Sequence, residues 1–133
     1  MITKETMMPL MLKALPSFEA TWQKFCNEWR NEKERPLYIA LSALARHIIK
    51  ILSQHEADGL LQAFAVLEQW CVEGDDFVKE AVTVGLLEDL QNTALHTTTK
   101  PEQFRPLLQN ESKKRWEGLH SFWSQDELST DKN

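Results

Sequence analysis

The residues of this 133-residue chain that could do chemistry are four histidines, two cysteines and a crowd of carboxylates. Their spacing rules out most of what they could do. His47 and His55 are eight positions apart in one helical pattern, about 12 Å at 1.5 Å per residue, whereas a shared metal needs ligands three or four positions apart. His96 and His120 fall in other segments, and no cysteine or carboxylate completes a zinc spacing. Cys26 and Cys71 lie on apolar stripes beside tryptophans, where burial raises a thiol pKa and leaves it inert as a nucleophile. Glu88 and Asp89 are adjacent, so on a helix they point about 100° apart and cannot share acid–base work. There is no glycine-rich phosphate loop. The expectation is a protein that is not an enzyme and has no cofactor and no metal.

What stands out instead is where the charge sits. Residues 57–92 hold eight acids (Asp58, Glu68, Glu73, Asp75, Asp76, Glu80, Glu88 and Asp89) against one base, Lys79. Residues 1–56 carry eight bases and six acids, and residues 93–133 carry six of each. The chain's formal charge of −5 is therefore concentrated on one stretch. One reading is a solvated face with good helix caps, because acids in a first turn complement the helix dipole. The other is a docking face for a basic partner, since one-signed charge raises association rates and fixes register.

Composition sets the frame for these residues. A chain of this length forms one domain and buries enough surface to need no disulfide or metal. Two cysteines far apart suit free thiols in a reducing cytosol, so a cytoplasmic location is expected. The opening MITKETMMPLMLKAL lacks a cleavage site, and no run approaches the roughly 18 apolar residues of a membrane span. A pI near 5.4 argues against nucleic acid, whose phosphates require a basic patch. Five Trp and six Phe, each burying about 150–250 Å², supply much of a core. They also offer apolar surface for a homo-oligomer, which nothing in the sequence fixes.

Seven helical segments and no strand can be drawn, giving an all-α single domain over 1–133: an irregular bundle of six to seven helices. The first, about Lys4 to Leu15, is interrupted by Pro9, so residues 1–15 read as a weakly ordered start. Ser17 is the expected N-cap of the second, whose face is Phe18, Trp22, Phe25 and Trp29. Pro36 opens a third, with Leu37, Leu41, Leu44, Ala45, Ile48, Ile49 and Leu52 in a wide stripe. The fourth starts near Asp58 and turns Leu60, Leu61, Phe64, Leu67, Trp70 and Cys71 inward. Gly74 then follows in an expected left-handed conformation. Asp75 or Asp76 caps the fifth, whose expected inner face is Phe77, Val78, Ala81, Val84, Gly85, Leu87 and Leu90. Gly85 inside that helix implies a closely approaching neighbour. Thr93–Lys100 reads as a loop, Pro101 opens a short sixth helix, and Asn110 caps a seventh carrying Trp116, Leu119, Phe122 and Trp123. Residues 124–133 are polar and read as a frayed tail.

Glu73-Gly74-Asp75, then Ala81-Val82-Thr83-Val84-Gly85-Leu86-Leu87-Glu88-Asp89-Leu90-Gln91-Asn92, and a closing Leu107-Leu108, Ser112, Trp116, Leu119, Phe122 and Trp123 together resemble a small bacterial all-helical family of uncharacterised domains. The resemblance spans roughly residues 17–123. Some members look like immunity proteins of polymorphic toxin systems, and no catalytic residue is implied. Where such a member has a Gly-Pro type start to the last helix, this chain has Gln109-Asn110-Glu111. The pair over 58–92 also resembles a single HEAT-like hairpin, without the three or more copies a solenoid requires.

The resemblance and the charge together imply an immunity protein that binds and neutralises a cognate, basic protein toxin. The expected binding residues are Glu73, Asp75, Asp76, Glu80, Glu88 and Asp89, with Trp29 and Trp123 near helix ends as aromatic anchors. The alternative is a small helical adaptor or scaffold for cellular partners.

Overall fold

The computed structural model describes residues 1–119. The expectations that fall on His120, Phe122, Trp123 and the tail 124–133 lie outside the described residues. Within them the fold is all-α, and each of the seven expected segments is helical. The helices are α1 (Met7–Ala14), α2 (Glu19–Glu28), α3 (Leu37–Ser53) and α4 (Leu61–Glu73). A continuous rod follows, made of α5 (Asp76–Glu80), a π-helical stretch (Ala81–Leu87) and α6 (Glu88–Gln91). A 3-10 segment, Pro101–Leu107, and a helix over 110–119, here α7, complete the described chain.

The core forms around α3. Its stripe of Ala40, Leu41, Leu44, Ala45, Ile48 and Leu52 is buried, as its wide apolar face required. The π-helical stretch and α6 pack on one side of it, and the 3-10 turn Ala57–Leu60 packs beside them. Helix α1 lies on α4. Pro9 falls in the first turn of α1, where the missing N–H costs nothing, and Met7, Met8 and Met11 are fully buried. The buried indole Nε1–H of Trp70 donates to the Met7 carbonyl at 3.1 Å. Ile2 goes further. Its N–H donates to the Glu73 carbonyl at 2.8 Å and its carbonyl accepts the Asp75 N–H at 2.9 Å, a lone parallel bridge to the α4–α5 hinge. The segment 1–15, which reads as a weakly ordered start, is thus tied down by packing that periodicity alone does not show.

Several local expectations need correction. Ser17 does not cap α2. Pro16 begins a 3-10 turn through Phe18 that carries Ser17 inside it, and Phe18 takes the N-cap position with no side-chain bond. Gly74 is not left-handed but extended, at φ −70° and ψ 153°. It is glycine because there is no room, as an added Cβ would meet the Trp70 carbonyl and Val78. Gly85 does allow the close approach inferred for it, since a Cβ there would lie 3.1 Å from both Leu41 Cδ1 and Tyr38 Cδ1.

The largest departure is in the rod. Phe77 and Val84, placed inward by a regular 3.6-residue period, are 39% and 42% exposed, while Val82 and Leu86 are fully buried. The π-helical stretch has a wider turn than an α-helix, so the buried face slips in phase along it. Leu61, in the first turn of α4, is likewise exposed.

Candidate partner-binding surface

The acids of the 57–92 stretch divide by task. Glu68 reaches from α4 to the start of α7, where its carboxylate accepts the N–H groups of Glu111 at 3.0 Å and Ser112 at 2.9 Å. Burial pushes this carboxyl up. The Ser112 and Glu111 amides, the Ser112 hydroxyl and the Lys114 charge outweigh it and hold the group below its ordinary value. Asp75 is the N-cap of α5, its Oδ1 accepting the Val78 N–H at 2.9 Å. Both carboxylates are committed to helix starts. Glu73, Asp76 and Glu80 are exposed, whereas Glu88 and Asp89 are half-buried beyond the π-helical stretch. Trp29 is half-buried at the end of α2, against the core.

Phe77 stands out from the rod one turn before the π-helical stretch, with Asp76 beside it and Glu80 on the next turn. The Tyr38 ring, at the start of α3, meets Phe77 edge-on with centroids 6.3 Å apart. Tyr38 is 39% exposed and lies over Gly85, next in the chain to the exposed Val84. Burial and then the Glu80 charge push the Tyr38 phenol above its ordinary pKa, so Glu80 lies within electrostatic reach of it. The result is a small apolar surface of Tyr38, Phe77 and Val84 with acids at its edge.

A cleft of about 400 Å³ opens from Phe77. Its apolar lining is Phe77, Trp22 and Leu37, and its polar lining comes from Lys4, Glu5 and the loop Glu32-Lys33-Glu34-Arg35. Lys4 pairs with Glu34 at 3.8 Å, and Arg35 donates to Cys26 Sγ at 3.4 Å. On the other flank of the rod, Arg115 Nη1 donates to Thr83 Oγ1 at 2.8 Å, and Thr83 in turn donates to the Lys79 carbonyl at 2.8 Å. Arg115 Nε is buried with no hydrogen-bond partner among the described residues. Arg115 is therefore a strut between α7 and the π-helical stretch.

The family profile described as "Domain of unknown function (DUF7674)" matches residues 8–124. The chain belongs to the DUF7674 family. No curated protein and no solved structure matches it. The matched span of this DUF7674 domain takes in α1, from Met8, through α7.

Two histidines of the DUF7674 domain, His47 and His96, have side-chain partners in the fold. Ser17 Oγ and His47 Nε2 lie 2.8 Å apart across 30 residues, a contact no local spacing announces. Burial and then Lys50 lower the His47 pKa, favouring the neutral ring. A neutral imidazole against a hydroxyl is the first half of a nucleophile–base pair. Among the described residues, however, no carboxylate is hydrogen-bonded to His47 to orient it, and the ring rests on Phe18 at 5.5 Å. The contact latches the Pro16–Phe18 turn to α3. His96 Nε2 donates to the Leu90 carbonyl at 2.9 Å, which can only accept, and Nδ1 lies 2.7 Å from the Thr99 hydroxyl. Cys71 is buried, and desolvation pushes its thiol up to about 12. Among the described residues, no three or more His, Cys, Asp or Glu side chains are placed to hold a metal ion, and no helix is long and apolar enough to cross a membrane.

Proposed function

We propose that this chain is a binding protein that acts through protein–protein contact on a basic partner. The observation that carries this reading is the exposed edge-to-face pair of Tyr38 and Phe77 with Asp76 and Glu80 beside it. Partially exposed aromatics with a charged rim are the composition of interface centres, where the aromatics supply affinity and the rim supplies steering. The finer reading is an immunity protein that neutralises a cognate toxin, by capping its active site or blocking its target surface. It is supported by the family resemblance and by charge complementarity, which favours a basic toxin such as one acting on nucleic acid.

The test is affinity capture from the host's own lysate at two salt concentrations, followed by calorimetry on the purified partner. A single stoichiometric basic protein, released at high salt, is the expected result. The triple variant Asp76→Lys, Glu80→Lys, Glu88→Lys is expected to bind it more weakly by on the order of tenfold at low salt, with an unchanged circular dichroism melt. Unchanged affinity in a folded triple variant would remove this face from the interface. Several substoichiometric partners would point to the adaptor reading.

A further inference from the structure

The geometry points to Ser17 and His47 as a nucleophile–base pair that takes the acyl group of an activated, uncharged ester or thioester. This goes beyond the partner-binding reading and does not rest on it. Ser17 Oγ and His47 Nε2 lie 2.8 Å apart, and both residues line a cleft of about 360 Å³, within the roughly 300–1,000 Å³ of built small-ligand sites. One wall is a face of α3, where His47, Lys50, Ile51 and Gln54 fall at i, i+3, i+4 and i+7. Ala14-Leu15-Pro16-Ser17 form another. Phe18 holds both reacting groups in place. It is fully buried, follows Ser17 in the chain, and its ring lies 5.5 Å from the His47 imidazole.

The contents of the cleft set the chemistry. Burial and then Lys50 favour the neutral imidazole, and in its Nδ1-protonated tautomer Nε2 accepts the Ser17 hydroxyl proton. Ser17 Oγ bonds to the carbonyl carbon, the bond from that carbon to the leaving oxygen or sulfur breaks, and Nε2 returns the proton to the leaving group. Water then repeats the sequence on the acyl-serine, releasing the carboxylic acid and restoring both side chains. Lys50 brings a cation to the same cleft, where it opposes the negative charge that develops on the carbonyl oxygen. Beside His47, Lys50 and Glu56 are the one cation and the one carboxylate of the lining, so a charged acyl chain gains nothing over a neutral one. Leu15, Pro16 and Ile51 suit a short alkyl chain. Among the described residues no carboxylate is hydrogen-bonded to His47, and an orienting acid is worth about 10⁴-fold in rate, so the pair requires a good leaving group.

The probe is p-nitrophenyl butyrate, incubated with the full chain and quenched in acid. The expected result is nitrophenolate release together with a butyryl group on Ser17, located by peptide mass spectrometry. Ser17→Ala is expected to return nitrophenolate release to background. His47→Gln is expected to slow acylation of Ser17 on the order of 100-fold, with circular dichroism showing that the variant is folded. The parent chain in urea keeps the test decisive if a variant does not fold, because Ser17 must then lose its adduct. Butyryl groups on lysines alone, or Ser17 acylated as fast in folded His47→Gln or in urea, overturn the proposal. Capture of a basic partner bears on none of these outcomes, so the two readings fail separately.

Discussion

A Cβ built on Gly74 would lie 2.4 Å from the Trp70 carbonyl oxygen and 2.5 Å from Val78 Cγ1. Neither neighbour can yield, because one is helix backbone and the other is a fully buried side chain. Its backbone angles are open to any residue, so space alone demands glycine here. Gly59 is the natural control, as nothing lies within 4 Å of a Cβ there. Gly74→Ala is expected to lower stability by about 1–3 kcal/mol through overpacking, and Gly59→Ala to leave it within about 1 kcal/mol of the parent, both read from urea denaturation midpoints. Equal midpoints for the two variants would show that the hinge relaxes around the methyl group.

At the level of elements, the Glu68 carboxylate does for α7 what an N-cap side chain does within its own helix, from 43 and 44 residues away. Its folded pKa lies below the ordinary 4.5, so its contribution is complete above that value and is lost as pH falls through the lowered one. Glu68→Gln is therefore expected to cost about 0.5–2 kcal/mol near neutral pH, with the gap between variant and parent closing as the solution is acidified below about 4.5. Denaturation midpoints across pH 3 to 7 would show it, and a pH-independent gap would assign the loss to packing. Local sequence gave no sign of this cap, because the partners belong to different elements. What a sequence shows well is periodicity and caps within one element. The α3 stripe, Pro36 before it, Asp75 as a cap and Gly85 as a close approach were all readable that way. The phase of the rod was not, since Val82-Thr83-Val84 looks like a slightly weak α-helix until Ala81–Leu87 takes the wider turn. Phe77 is legible in the sequence as an apolar residue but not as an exposed one, and Tyr38 lies off the α3 stripe, where periodicity assigns it no part.

At the scale of the described molecule, several of the bonds that join distant parts of the chain meet at residues 68–83, while Ser17–His47 and Gln91–Trp116 tie other parts together. Ile2 is held by Glu73 and Asp75, Met7 by Trp70, the start of α7 by Glu68 and Arg115 by Thr83. The opening residues, the middle hairpin and the last described helix thus share one set of supports, and none can leave without uncovering buried groups of another. The expected consequence is a single cooperative transition, in which tryptophan fluorescence and far-ultraviolet circular dichroism give superimposable unfolding curves. Separated midpoints would mean that α1 or α7 comes away independently.

Asp75 and Asp76 are chemically identical neighbours that the fold treats as opposites. The first spends its carboxylate on the start of a helix and its amide on Ile2, so any replacement must satisfy both claims at once. The second is exposed, and its side chain has no hydrogen-bond or ion-pair partner among the described residues. Asp76 can therefore change at little cost to the fold while Asp75 stays fixed, so a position free to diverge lies one residue away from a hinge that is not.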